Sequence, residues 1–234
     1  MKTIKMYLKY QITISNLLIL LFIFLFLSLC YFMNIYDINE SLDYDQILDF
    51  YFQNSLYYTK IIIVFLSCFL FMKLKNERNE YLINVVITAG YTKKDNYKSM
   101  IISNMIILLI IISIFFLCYL TIGLLNKHYF VIELKYIISY FNIILLSFHY
   151  GIITYLFIQL TNNQMMFIVV ILMFLLSDLV IDVNSSIKYL YLSLFPNVNT
   201  ISGNFYISSF FIVIYVYLIY KINELIYLNL DLRN

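Results

Sequence analysis

The sequence predicts an all-α polytopic membrane protein of six transmembrane helices, with an N-terminal interfacial helix and a cytoplasmic coupling helix. Three observations predict it. Hydrophobic residues make up 63% of the 234 and charged residues only 12%, with a mean hydropathy of +0.88. A soluble domain carries about 25% charge, and at this composition it would expose large apolar patches. The apolar residues fall in long runs, and the basic residues collect on one side of them. At about 20 apolar residues per span, the length leaves room for six spans and little else, so 1–234 is read as a single transmembrane domain.

The chain begins with Lys2, Lys5 and Lys9 at intervals of three and four, with Ile4 and Leu8 sharing another face. That pattern predicts a short basic helix lying on the anionic lipid of the cytoplasmic surface. The first span follows over about 12–33. It is too long for a signal-peptide core and no small-residue cleavage site follows it, so it is expected to stay as an anchor. Asp37, Glu40, Asp43, Asp45 and Asp49 alternate with Ile47, Leu48, Tyr51 and Phe52, a stretch expected along the outer interface. The second span covers about 56–72, with Lys60 snorkelling outward from its beginning. Residues 73–99 are the only sizeable polar segment on the cytoplasmic side.

The third span is read over about 100–125 and the fourth over about 136–160. Thr161-Asn162-Asn163-Gln164 turns the fourth into a fifth at about 165–181. A polar outer loop holds the single proline, Pro196, and the sixth span covers about 206–222. Counting Lys and Arg by side places eleven on the N-terminal side and four (Lys60, Lys127, Lys135, Lys188) on the other. Both termini are therefore expected in the cytoplasm, and the richness in Ile, Asn, Lys and Tyr has the look of an AT-rich bacterial genome, so the membrane is read as a bacterial cytoplasmic membrane. With no Trp, the 24 Tyr are expected to supply the interfacial aromatic belts.

Composition also excludes whole classes of chemistry. A net charge of +2 argues against a nucleic-acid partner. Four scattered glycines (Gly90, Gly123, Gly151, Gly203) cannot build a phosphate-cradling loop, a dinucleotide fingerprint, a nucleophile elbow or a GxxxG packing face. Cys30, Cys68 and Cys118 lie inside apolar runs and read as small hydrophobes, with no disulfide framework or metal spacing. There is no HExxH, and His128 and His149 stand on separate segments without a carboxylate at ligand spacing. No catalytic residue, bound metal or bound cofactor is expected.

Three polar residues within or at the edge of the spans are candidates for a substrate path. His149 reads either as a polar group on a substrate path or as a neutral imidazole bonded to a neighbouring helix. Asp178 and Asp182, one turn apart near the end of the fifth span, could line a polar vestibule or a cation site. They could equally mark where that helix meets water.

The most informative segment is 73–99. Tyr81, Leu82, Val85 and Val86 recur at helical spacing, Gly90 is placed to end that helix in the left-handed conformation, and Thr92 with Asp95 reads as a cap starting the next. A charged helix held on a glycine turn suits docking a cytoplasmic partner, whereas a solvated loop would only fix topology.

Here the chain resembles the permease subunits of ABC exporters of the type-2 kind, in its layout over the whole length and in Glu77, Arg78, Glu80, Gly90, Tyr91, Thr92, Lys93 and Lys98. Leu194-Phe195-Pro196 is similar to a proline segment of that family between its last two spans. The resemblance implies a half-transporter that pairs with itself or with a second permease, as homodimer or heterodimer. It also implies two separate ABC ATPase subunits that carry ATP and magnesium and receive the loop helix in a cleft. Small permeases of this kind export amphipathic peptides such as lantibiotics or cytolysins, often for self-immunity. The short second and fifth spans depart from the pattern. A non-transporting scaffold or sensor subunit of a membrane complex is the alternative reading.

Overall fold

The computed structural model describes residues 2–11, 14–36, 43–75, 77–125, 134–180, 195–196 and 205–229, and among them every regular element is helical. In chain order these are α1 (Lys2–Gln11), α2 (Ile14–Tyr36), α3 (Tyr44–Met72), a 3₁₀ turn (Lys73–Lys75), α4 (Glu77–Thr88) and α5 (Lys93–Leu125). They continue with α6 (Leu134–Thr161), α7 (Met166–Val180) and α8 (Phe205–Asn229). Among the described residues four stretches are long and apolar enough to cross a membrane: Asp49–Lys75, Lys93–Leu125, Tyr136–Thr161 and Ile212–Asn229, in α3, α5, α6 and α8. The chain is a membrane protein. The apolar stretches of α2 and α7, Leu21–Met33 and Met166–Val180, are shorter.

The centre of the bundle is the pair α3 and α6. They run parallel, with Phe52 on Tyr136 towards one end and Phe71 on Phe148 towards the other. Close approach is possible because small residues line the seam. A Cβ added to Gly151 would fall on the Ser67 hydroxyl and the Phe71 ring, and the Ser67 hydroxyl donates to the Ser147 carbonyl at 2.5 Å. Ser147 and Gly151 are one turn apart, the small-xxx-small arrangement that lets backbones meet in lipid, where apolar burial alone gives no preference for protein over acyl chain. The absence of a GxxxG pattern had hidden this seam. Helices α7 and α8 pack on α6 from the sides, and α5 carries α1 and α2.

Several expectations are corrected. Helix α3 starts at Tyr44, so the stretch from Asp43 onward caps and extends a 29-residue helix instead of lying along an interface; Tyr51 and Phe52 are buried in its core-facing side. Asp37 and Glu40 lie outside the described residues. Helix α8 continues to Asn229, past the expected end of the sixth span.

Many tyrosines face inward rather than forming a belt. Tyr7, Tyr31, Tyr51, Tyr97 and Tyr150 are fully buried, because the bundle offers their hydroxyls partners. Tyr51 donates to the Tyr119 carbonyl (2.9 Å) and Tyr150 to the Pro196 carbonyl (3.0 Å). The expected turn between α6 and α7 is present, with Asn162 at φ 53° and the Gln164 amide donating to the Lys75 carbonyl at 3.0 Å.

Candidate functional site

The α4–α5 connection is built by local chemistry. Helix α4 ends on Gly90 at φ +88°. The Gly90 amide donates to the Ile87 carbonyl (3.0 Å) and the Tyr91 amide to that of Val86 (3.3 Å). These two bonds form a Schellman closure, which satisfies the last carbonyls of the helix and needs a left-handed residue there. Helix α5 then starts on a formed cap. The Asp95 amide donates to the Thr92 hydroxyl (3.1 Å), and that hydroxyl donates to the Asp95 carboxylate (2.7 Å). A Cβ at Gly90 would meet no heavy atom within 4 Å, so its conformation, not crowding, requires glycine.

The faces of α4 differ from the periodicity reading. Ile83 and Val86 are the buried side, while Tyr81 is 70% exposed and Val85 and Tyr91 are exposed with it. Tyr81 and Val85, one turn apart, thus present an exposed aromatic and aliphatic pair, and Tyr91 beyond the glycine turn is exposed as well. Glu77, Arg78 and Glu80 have their backbone in α4, but their side chains lie outside the described residues. Lys93 opens α5.

Directly behind this connection lies a polar node that the periodicity did not reveal. Asn96, one turn into α5, is fully buried. Its amide oxygen accepts from Tyr7 of α1 (2.6 Å), and its amide nitrogen donates to Tyr227 of α8 (2.8 Å). Tyr97 packs on Tyr220 and Tyr227 of α8. Thr3 and Ser99 are bonded at 2.8 Å, and Gln11 donates to Asn104. Thr3, Tyr7 and Gln11 form one stripe at four-residue spacing, so α1 is fastened to α5 along that stripe. Lys2, Lys5 and Lys9 stay exposed. Burial pushes the Tyr7 phenol well above its ordinary pKa, so it stays a neutral donor. The start of α5 is thereby tied to both the first and the last helices.

The second polar feature crosses the bundle between α3 and α7. Lys60 is 1% exposed, and its ammonium contacts the Asp178 carboxylate at 2.9 Å. Lys60 does not snorkel outward. Its partner on α7, and the Tyr57 and Phe174 rings at 5.3 and 5.9 Å, hold it inside. Asp178 likewise does not simply mark a water boundary. One turn along, Val64 and Phe174 belong to an apolar cluster with Tyr150 and Phe195, and Phe195–Pro196 is drawn into it by the Tyr150 bond.

His149 is fully buried on α6, 5.7 Å from the Tyr215 ring of α8. It lies against that ring, whereas Asp178 is paired with Lys60 of α3. Asp182 and His128 lie outside the described residues. Among the described residues no group of three His, Cys, Asp or Glu side chains gathers as a metal site.

Lys60 and Asn96 were missed as site residues, and one of them left a trace. Lys60 is the only charge in residues 50–72 of α3, and Asp178 the only one in α7. Each stands twelve residues from the end of its helix nearer α4. Opposite charges at equal depth are a legible pair. Comparison of the chain with protein-family models, with curated proteins and with solved structures finds no match.

Proposed function

We propose that this chain is the membrane-spanning permease subunit of an ATP-driven exporter, moving a hydrophobic or amphipathic substrate, a peptide such as a bacteriocin or cytolysin, across the cytoplasmic membrane. On this reading α2, α3, α5, α6, α7 and α8 are six spans, both termini and α4 are cytoplasmic, and α4 docks on a separate ABC ATPase. ATP and magnesium are held by that partner, and the chain pairs with a second permease, identical or not.

One observation carries the reading. The α4–Gly90–α5 connection is closed at both helix ends and wired through Asn96 to α1 and α8. A loop that only fixed topology would need neither the closure nor the node. A stiff lever with Tyr81, Val85 and Tyr91 exposed can take a push from a soluble partner and pass it to three helices at once. The apolar, aromatic interior suits an amphipathic cargo better than an ion or a sugar.

The test is co-expression with a candidate ABC ATPase, pull-down, and peptide-stimulated ATP turnover. Gly90→Val forces a β-branched residue to φ +88°, which costs roughly 1–2 kcal/mol locally. It should weaken the complex at least tenfold, as should Glu80→Arg. Retention of full affinity by both variants would remove the docking role. A stable complex whose ATP turnover no peptide stimulates would instead favour a scaffold or sensor subunit.

A further inference from the structure

The ion pair between α3 and α7 has a depth, an asymmetry and a setting. Lys60 and Asp178 each stand twelve residues from the α4-side end of their helix, or about 18 Å at the helical rise. Against a hydrocarbon core of about 30 Å, that puts both charges a little past the midplane. Ionised groups at this depth are expensive unless compensated, and in membrane proteins they commonly mark a path.

The two partners are not equivalent. The Lys60 side chain is 2% exposed and that of Asp178 22%. Lys60 keeps two aromatic faces, Tyr57 and Phe174, whether or not the carboxylate stays. Asp178 is flanked on α7 by Leu175 and Leu179, both exposed.

We infer that Asp178 is an exchangeable counter-ion site for a primary ammonium of an amphipathic peptide, held in this conformation by the Lys60 ammonium. The inference rests on the exporter reading and names its cargo class. A cationic side chain approaching along α7 would lay its apolar neighbours on Leu175 and Leu179 and replace one ammonium by another at the carboxylate. Lys60 would remain against its two rings. The carboxylate keeps a counter-ion at either stage, and Lys60 passes from an ion pair to contact with the two rings. A bare inorganic cation gains nothing from the leucines, and an uncharged peptide cannot displace Lys60.

The test uses the full chain in phosphatidylcholine nanodiscs, with empty nanodiscs subtracted. The probes are a fluorescent synthetic amphipathic helix bearing lysines and its acetyl-lysine analogue. The wild-type chain should bind the lysine peptide at least tenfold more tightly than the analogue. K60M/D178N, which removes both charges together, should bind the two alike. Equal binding by the wild type overturns the inference whatever the variant does, and so does a preference that survives in the double variant. No ATPase enters the measurement. A chain that shows the preference but recruits no ATPase would sink the exporter reading alone, and one that couples to an ATPase without the preference would sink only this site.

Discussion

The two polar regions of this bundle are built on opposite principles. At the α4 end, α1, α5 and α8 are joined by neutral hydrogen bonds in series: Thr3–Ser99, Tyr7–Asn96, Gln11–Asn104 and Asn96–Tyr227. Deeper in, α3 and α7 are joined by one ion pair set among rings. A neutral bond contributes about 1 kcal/mol, and its loss is shared by its neighbours. A buried ion pair contributes little against a well-packed apolar substitute, yet breaking it strands a charge. The first construction is redundant. The second is all-or-none.

The largest effect should come from the ion pair. Lys60→Met is expected to destabilise the bundle by about 3–5 kcal/mol, read as a fall in apparent Tm in detergent. Adding Asp178→Leu to it should recover most of that loss. If the double variant is as damaged as the single one, the pair is not the brittle element described.

Next in size is the α3–α6 seam. Gly151→Val drives side-chain atoms into Ser67 and Phe71 and should cost about 1–3 kcal/mol, with α3 and α6 pushed apart. Unchanged proximity of cysteines placed across the seam would contradict it. The node at the α4 end should respond more gently. Asn96→Leu leaves the Tyr7 and Tyr227 hydroxyls without their shared partner and should cost about 1–3 kcal/mol, against about 1 for Tyr7→Phe. A Tyr7→Phe loss as large as that of Lys60→Met would erase the contrast between the regions. Smallest in stability is Tyr81→Ser, which touches an exposed side chain and should stay within about 0.5 kcal/mol while reducing capture of the ATPase.

Legibility in the sequence followed the range of the interactions. The glycine turn and the Thr92 cap were readable because each is settled within about one helical turn, by the φ of Gly90 and by the reach of one hydroxyl. The α6–α7 turn was readable for the same reason. Helices α3 and α8 run beyond the expected spans because charged and polar residues continue them. Asp43 and Gln46 form a reciprocal cap where an interfacial stretch had been expected. Of the apolar residues that recur along α4, Val86 is buried while Tyr81 and Val85 are exposed. Periodicity finds a stripe but does not say what covers it.

What the sequence determined by itself was therefore the solvent and the local conformation. Its apolar runs require lipid, their length requires helices, and Gly90 and Thr92 fix a stop and a start. What only the tertiary structure decided was partnership. Lys60 meets Asp178 across 118 residues, and Asn96 meets Tyr227 across 131. The physical reason is that the cost of a polar group in an apolar bundle is written in the chain, whereas the group that compensates it is chosen by packing. That packing places α3 beside α7 and threads the start of α5 between α1 and α8.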